Sequence, residues 1–566
     1  MNNMKRAIYI LLSVMVIGTS SCKKFEQYPE ERIFESEVFD PKDVNGVQST
    51  AYLMGIYSLL PSGFNRVDGD FLDAATDDAV SSFYGSGITL FNNGQLTSQN
   101  SPENNWATSY TIIRKCNVFL QNIGVVPLVP EMMKRQVAEA RFLRAFAYFE
   151  LLKRYGGIPL IGEQVFGLED NLDLPRNTYA ECVDYIAAQC DLASADLPKG
   201  STIAAGEFGR VPAEAAMALK CRLFVYAASP LFNGEGFESN PELKVLTGYT
   251  NADPARWDKA IAAAEALIAV GYYKLPAGTG SAAYAAVFTT KINTDIILSR
   301  QSGNSTSIET TNAPVGYVAP AASNGRTSPT QNFLNAFPNL DGTAYAGSST
   351  NPAQYDNRDP RLRATIFYNG VLWLNRPIQT YEGGLDKPNL SLRVQTRTSY
   401  YLRKFMADFS TSTSYSNQSH NFPYFRYAEV LLNYAEALNE RGRMEDAVKQ
   451  IIPIRARAGI TAGSNSRYGI RAGITQAELQ TLIRNERRIE LSFEEHRFWD
   501  LRRWKLGNTF LSGNLSGLQL NLNGSTIGFV SQDVATLTFR EKYYHLPIPY
   551  AEIIKNRKLV QNEGYY

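Results

Sequence analysis

Residues Arg426 to Gly459 read RYAEVLLNYAEALNERGRMEDAVKQIIPIRARAG, two runs of apolar residues at three- and four-residue spacing separated at Gly442. The spacing predicts two helices joined by a turn. Leu431, Ala435 and Leu438 line the first helix, and Ala447 and Ile451 face back from the second. The small Ala447 allows the two backbones to approach closely. The stretch is 34 residues long, the tetratricopeptide period. A single helical hairpin leaves one apolar face uncovered, so this pattern calls for further hairpins stacked against it.

Candidates lie upstream. WDKAIAAAEALI, from Trp257 to Ile268, has the same second-helix character and pairs with Ala213 to Ser229. A third pair joins Glu131 to Tyr155 with Tyr179 to Leu192, the latter opened by the cap residue Thr178. Asp43 to Leu60 and Asn105 to Ile123 supply a fourth. The expected fold is therefore mainly α: four tetratricopeptide-like helix pairs with long irregular insertions and a few short β-strands. The insertions are Pro61 to Asn104, Pro276 to Pro423 and roughly Gly507 to Phe539, rich in Gly, Ser, Thr, Asn and aromatics, with strand-like pieces at Thr365 to Tyr368 and Ile527 to Val530. Loops of this length are commonly functional, so a binding face is expected there.

Composition narrows the function. Of 566 residues 44% are hydrophobic and 20% charged, which excludes disorder for the bulk of the chain. The net charge is +1, and no arginine- or lysine-rich tract stands out, so nucleic acid is not an expected partner. Aromatic residues reach 12%, with 32 Tyr and 29 Phe, more amphipathic rings than a core alone requires. Three histidines in separate contexts, and no G-x-S-x-G, Walker A, H-E-x-x-H or G-x-G-x-x-G motif, leave no catalytic, cofactor or metal site to nominate. The one tempting carboxylate pair, Glu486 and Glu490, is interleaved with Arg487, Arg488, Arg497, Arg502 and Arg503. Such neighbours keep acids ionised and paired, the opposite of a glycosidase general acid. A buried ion-pair network tying the terminal helix to the array is the expectation.

Lys5 and Arg6 precede an apolar run from Ala7 to Gly18, followed by Thr19, Ser20, Ser21 and Cys22. Residues 1–21 have the form of an export signal, too short to span a bilayer. Its removal moves the net charge from +1 to −1, because Lys5 and Arg6 are the charged residues lost. Cys182 and Cys190 lie about 12 Å apart along one helix, too far to bridge each other. Together with Cys116 and Cys221 they are expected to be buried free thiols.

Several further motifs occur in order: Trp106, Tyr110, Ile113 and Asn117 in one helix; EARFLRAFAYFELLKRYGGIPLI from Glu139; GRVPAEAAMALKCRLFVYAA from Gly209; ERRIELSFEEHRFWDLRRWK from Glu486; and LPIPYAEIIKNRKLVQNEGY from Leu546. With the lipobox-like Cys22 and the 426–459 hairpin, this series resembles the SusD/RagB family of Bacteroidetes outer-membrane lipoproteins over essentially the whole mature chain. Thr19 departs from the Leu usual three residues before the lipidated cysteine. The resemblance implies a signal peptide over 1–21, lipidation of Cys22, and one SusD-like fold over 22–566, its helix pairs forming a right-handed array. That fold comprises an N-terminal helical part (22–275), a variable loop-rich region (276–425) and a closing part (426–566). It also implies a non-catalytic protein with no cofactor, lipid-anchored in the outer membrane and facing the cell surface. Such a protein captures oligosaccharide and delivers it to a SusC-like TonB-dependent transporter. Uptake of peptide is the alternative within the same family, and a surface glycoside hydrolase the disfavoured one.

A pyranose offers an apolar face and a rim of hydroxyls, so its site needs exposed rings beside planar polar side chains. DAATDDAVSSFYGSGITLFNN, from Asp73 to Asn93, carries that mixture, and in the family the loop after the T-D-[DE] motif commonly contributes to the ligand site. Asp77, Phe83, Tyr84 and Asn92 are the candidates here. From the middle loop, Tyr317, Asn324 and Arg326 are candidates by the family's habit of drawing a second aromatic from that region. Trp373 fits either an exposed ring or a buried strand, whereas Trp106, Trp257, Trp499 and Trp504 sit in helical signatures and are read as scaffold.

Overall fold

A computed structural model describes residues 35–167, 169–234, 236–390 and 394–565. The export signal and Cys22 lie outside the described residues. The hairpin at 426–459 forms two helices that turn at Gly442, whose φ of +74° is a conformation glycine adopts without strain. Ala435, Leu438, Ala447 and Ile451 are fully buried between them. Pro453 falls inside the second helix but on its exposed side, away from the buried face of the hairpin.

In chain order the main helices are α1 (Val47–Ser58), α2 (Trp106–Asn122), α3 (Pro130–Tyr155), α4 (Tyr179–Asp196), α5 (Ala213–Ala228), α6 (Arg256–Ala269), α7 (Tyr427–Glu440), α8 (Met444–Ala458), α9 (Gln476–Glu490) and α10 (Arg497–Arg503). From α1 to α8 each packs on the next, so four hairpins stack into one array. Thr178 caps α4 as expected: its hydroxyl accepts from the Glu181 N–H at 3.2 Å, and the Glu181 carboxylate accepts from the Thr178 N–H at 2.8 Å. Cys116, Cys182, Cys190 and Cys221 are buried free thiols. Burial raises Cys116, Cys182 and Cys221 to about 12. Among the described residues no helix is long and apolar enough to cross a membrane.

The strands are β1 (Ala79–Ser81), β2 (Ile296–Arg300), β3 (Thr327–Pro329), β4 (Phe422–Arg426), β5 (Gly513–Asn523) and β6 (Thr526–Leu537), with two-residue pairs at 366–367 with 401–402 and 372–373 with 376–377. Two insertions differ from the irregular loops expected of them. Residues 507–539 hold a long antiparallel hairpin, β5 with β6, turning at Gly524 and Ser525. Leu518 and Leu520 are buried while Leu522 is exposed at the tip, a two-residue alternation obscured by the Asn, Gln and Gly around it. The 276–423 stretch contains a ten-residue helix, Gly280–Thr289, and β2, which pairs antiparallel with β4 at the entrance to α7.

The terminal helices are tied to the array by buried ion pairs. Glu486 contacts Arg361 at 2.7 Å and Arg455 at 2.8 Å; Glu490 contacts Arg361 at 2.9 Å, Arg426 at 2.7 Å and Arg457. Arg503 joins Glu436 at 2.6 Å to Asp500 at 2.7 Å. Burial alone would raise Glu486 and Glu490, but these guanidiniums hold both below the usual carboxylate range. Fully enclosed and ionised, neither has the access or the proton that a general acid needs.

Candidate functional site

Two chain segments far apart in sequence meet at the β1–β3 ladder, where Ala79 faces Pro329 and Ser81 faces Thr327. The ladder extends through the Ser82 N–H, which donates to the Arg326 carbonyl at 2.8 Å. It is anchored below by Thr330, whose hydroxyl donates to the Asp77 carbonyl at 2.7 Å. Phe83 and Tyr84 leave the end of β1 beside Arg326, which precedes β3. The Arg326 guanidinium lies over the Phe83 ring at 4.7 Å from its centroid. Tyr84 is 77% exposed and Phe83 42%.

Tyr84 is met by a third segment. The Arg397 guanidinium stacks 4.3 Å from its ring centroid and donates to the Ser81 carbonyl at 3.3 Å and to the Val534 carbonyl. One arginine thus joins the β1 loop to β6. Around it opens a depression of about 750 Å³, a size ordinary for small-molecule sites. Phe83 and Tyr84 form one side, Glu382, Lys387, Asn389 and Gln395 another, and Gln519, Gln532 and Asp533 of the hairpin a third. The amides are ordered among themselves. Gln395 donates to the Asn389 side chain at 3.0 Å, and Gln532 donates to the carbonyls of Arg397 at 3.2 Å and Leu518 at 3.1 Å. Exposed rings beside fixed planar amides match what a pyranose presents.

The remaining candidates lie elsewhere. Asp77 is 4% exposed and does not line the depression. Its carboxylate takes Arg488 at 2.8 Å and Arg497 at 2.9 Å, which hold it below the usual range against the upward push of burial. It positions the loop by tying it to α9 and α10. Asn92 donates to the Ala74 carbonyl at 2.8 Å and accepts, through its own carbonyl, from the Thr538 N–H at 2.7 Å. Tyr317 donates its hydroxyl to the Trp373 carbonyl at 2.6 Å under the Arg376 guanidinium, 3.9 Å from its ring centroid. Asn324 is exposed but, like Tyr317, does not line the depression. Trp373 is buried, as are Trp106, Trp257, Trp499 and Trp504.

Missing from the sequence reading were Glu382, Lys387, Asn389, Gln395, Arg397 and the hairpin residues. The hairpin's leucine alternation was a readable signal, since it would have turned Gln519 to the face opposite Leu518 and Leu520. The others come together only through tertiary pairing. A second hollow of about 700 Å³ lies between α2, residues 159–174 and residues 552–559. Its Trp106, Tyr110, Ile113, Phe166, Leu172 and Leu559 make it mostly apolar, with two amides, Gln164 and Asn556, among the described residues that line it against the four of the first depression.

Fold and hollow together define a class: a helical-repeat scaffold whose inter-hairpin segments build a ring- and amide-lined depression. Comparison with known proteins gives the lineage. Residues 294–565 match the SusD family model, and residues 52–224 match the related model described as starch-binding associating with outer membrane. A SusD-like protein of Bacteroides fragilis superposes with a TM-score of 0.78 at 27% identity, covering 94% of this chain and 99% of that one. A laminarin-binding SusD-like protein superposes with a TM-score of 0.63 at 22% identity, covering 92% and 99%. SusD-like protein P2 of Formosa agariphila is 24% identical over 472 residues, covering 81% of this chain and 80% of that protein. The chain belongs to the SusD/RagB family.

Proposed function

We propose that this protein captures an oligosaccharide in the depression beside Tyr84, leaves it chemically unaltered, and delivers it to a TonB-dependent transporter while held in the outer membrane by lipid on Cys22. The observation that carries the reading is the placement of two exposed rings, Phe83 and Tyr84, against the amides of Asn389, Gln395, Gln519 and Gln532. Stacking and hydroxyl pairing are both available within one hollow. Single aromatic contacts contribute about 0.5–1.5 kcal/mol, so micromolar affinity needs several contacts along an extended ligand. A non-catalytic role is supported by the enclosure of Glu486 and Glu490 among arginines. The family's carbohydrate-binding character and the laminarin-binding neighbour lend further support. Isothermal titration against soluble polysaccharides and a peptide mixture tests the reading. Saturation by a glycan, with no reducing ends released on prolonged incubation, is expected; saturation by peptides alone would move the protein to peptide uptake.

A further inference from the structure

We propose that the depression is built for an uncharged oligosaccharide and discriminates against carboxylated and sulfated chains, an inference that rests on the glycan reading above. Among the described residues, four charged side chains line the hollow, two of each sign: Glu382, Asp533, Lys387 and Arg397. Each cation is already engaged. Lys387 is buried, its Nζ 2.5 Å from the Glu382 carboxylate and 3.3 Å from the Ser399 hydroxyl. Arg397 gives Nη1 and Nη2 to the carbonyls of Ser81 and Val534 and lays a face on the Tyr84 ring. Arg326, at the rim, covers Phe83, donates to the Asp68 carbonyl and lies 3.4 Å from Asp70.

Recognition of a carboxylate or sulfate draws on arginine forks turned toward the ligand, which give short, paired, charge-assisted hydrogen bonds. Here both guanidiniums brace the aromatic pair instead, so they act as positioning groups for the rings. An incoming anion would shed its water and meet Glu382 and Asp533 without gaining a dedicated cation among the described residues. A hydroxyl meets no such obstacle: Asn389, Gln395 and Gln519 each spend one amide hydrogen on a protein partner and keep the second beside a carbonyl oxygen, and Gln532, whose amide donates to the Arg397 and Leu518 carbonyls, offers its own carbonyl oxygen as an uncharged acceptor.

The test is titration of the full mature chain with laminarin and mannan (uncharged), alginate (carboxylated) and fucoidan (sulfated), each at low and high salt. The expected result is saturation by an uncharged polymer with a Kd that changes less than about twofold with salt, and binding of alginate and fucoidan at least about tenfold weaker. A charged polymer binding tightest, with affinity that collapses in salt, would overturn selectivity for uncharged chains while leaving glycan capture intact. No binding by any of the four would overturn both. Asp533→Lys, at an exposed position, is a second readout: it should strengthen alginate binding severalfold at low salt. An unchanged alginate isotherm in that variant would show that Asp533 excludes nothing.

Discussion

Tyr84 illustrates how exposure and order can coexist at one side chain. Its ring is largely in solvent, yet Arg397, fixed by carbonyls from two other segments, covers part of it. The ring is therefore presented to a ligand with little freedom left to lose on binding. Tyr84→Ala should weaken glycan affinity about three- to tenfold, as expected for one stacked ring, with the melting temperature nearly unchanged. Titration calorimetry beside a thermal melt checks both halves, and unaltered affinity would remove Tyr84 from the site. Asp77 is the opposite case. Its carboxylate is enclosed by Arg488 and Arg497, so Asp77→Asn should destabilise the fold by about 3–5 kcal/mol by leaving buried guanidiniums undercompensated. A urea midpoint close to wild type would contradict that role.

At the scale of elements, the β5–β6 hairpin decides whether a depression exists, because it brings Gln519, Gln532 and Asp533 opposite the β1 loop. Its docking depends on close backbone contact at Gly517, where a Cβ would come within 2.7 Å of the Thr398 Cα. Since backbone cannot swing aside, Gly517→Val should displace the hairpin, cost about 1–3 kcal/mol and abolish most ligand binding. Faster amide exchange confined to 513–537 would be the structural signature; wild-type exchange with wild-type binding would refute the dependence. Between α7 and α8, Ala447 is fully buried. Ala447→Leu should overpack the hairpin by a similar amount but leave affinity at the distant depression unchanged, as equilibrium unfolding and titration together can establish.

Across the whole molecule, burial of ionisable groups shapes the response to acid. His545 is buried, its ring 5.8 Å from those of Phe232 and Phe237, and the Glu238 Oε1 lies 3.4 Å from its Nε2. Burial, reinforced by the nearby positive Arg176 and Lys505, pushes its pKa down to about 3 from an ordinary value of 6.5. The unfolded chain therefore binds a proton that the folded chain refuses between those values. The stabilising contribution is complete above about pH 6.5 and diminishes as pH falls toward 3, by up to about 1.4 kcal/mol per pH unit. Urea unfolding at pH 7 and pH 5 should show this loss, with a shallower dependence in His545→Gln. Identical slopes for both proteins would exclude His545 as the cause.

The helix pairs were legible because their information is local: three- and four-residue apolar spacing, the Gly442 turn and the Thr178 cap each act within a few residues of themselves. So was the ion-pair role of the 486–505 cluster, since interleaved acids and bases of that density have little option but to pair. The depression is different in kind. Tyr84 could be nominated from its neighbours, but Arg397, Gln395 and Gln532 carry no local sign of their function. Asp77, meanwhile, had the right chemistry and the wrong surroundings. Which polar side chain meets a ligand and which meets a buried partner is settled by long-range strand pairing and desolvation, and neither quantity is written in the order of adjacent residues.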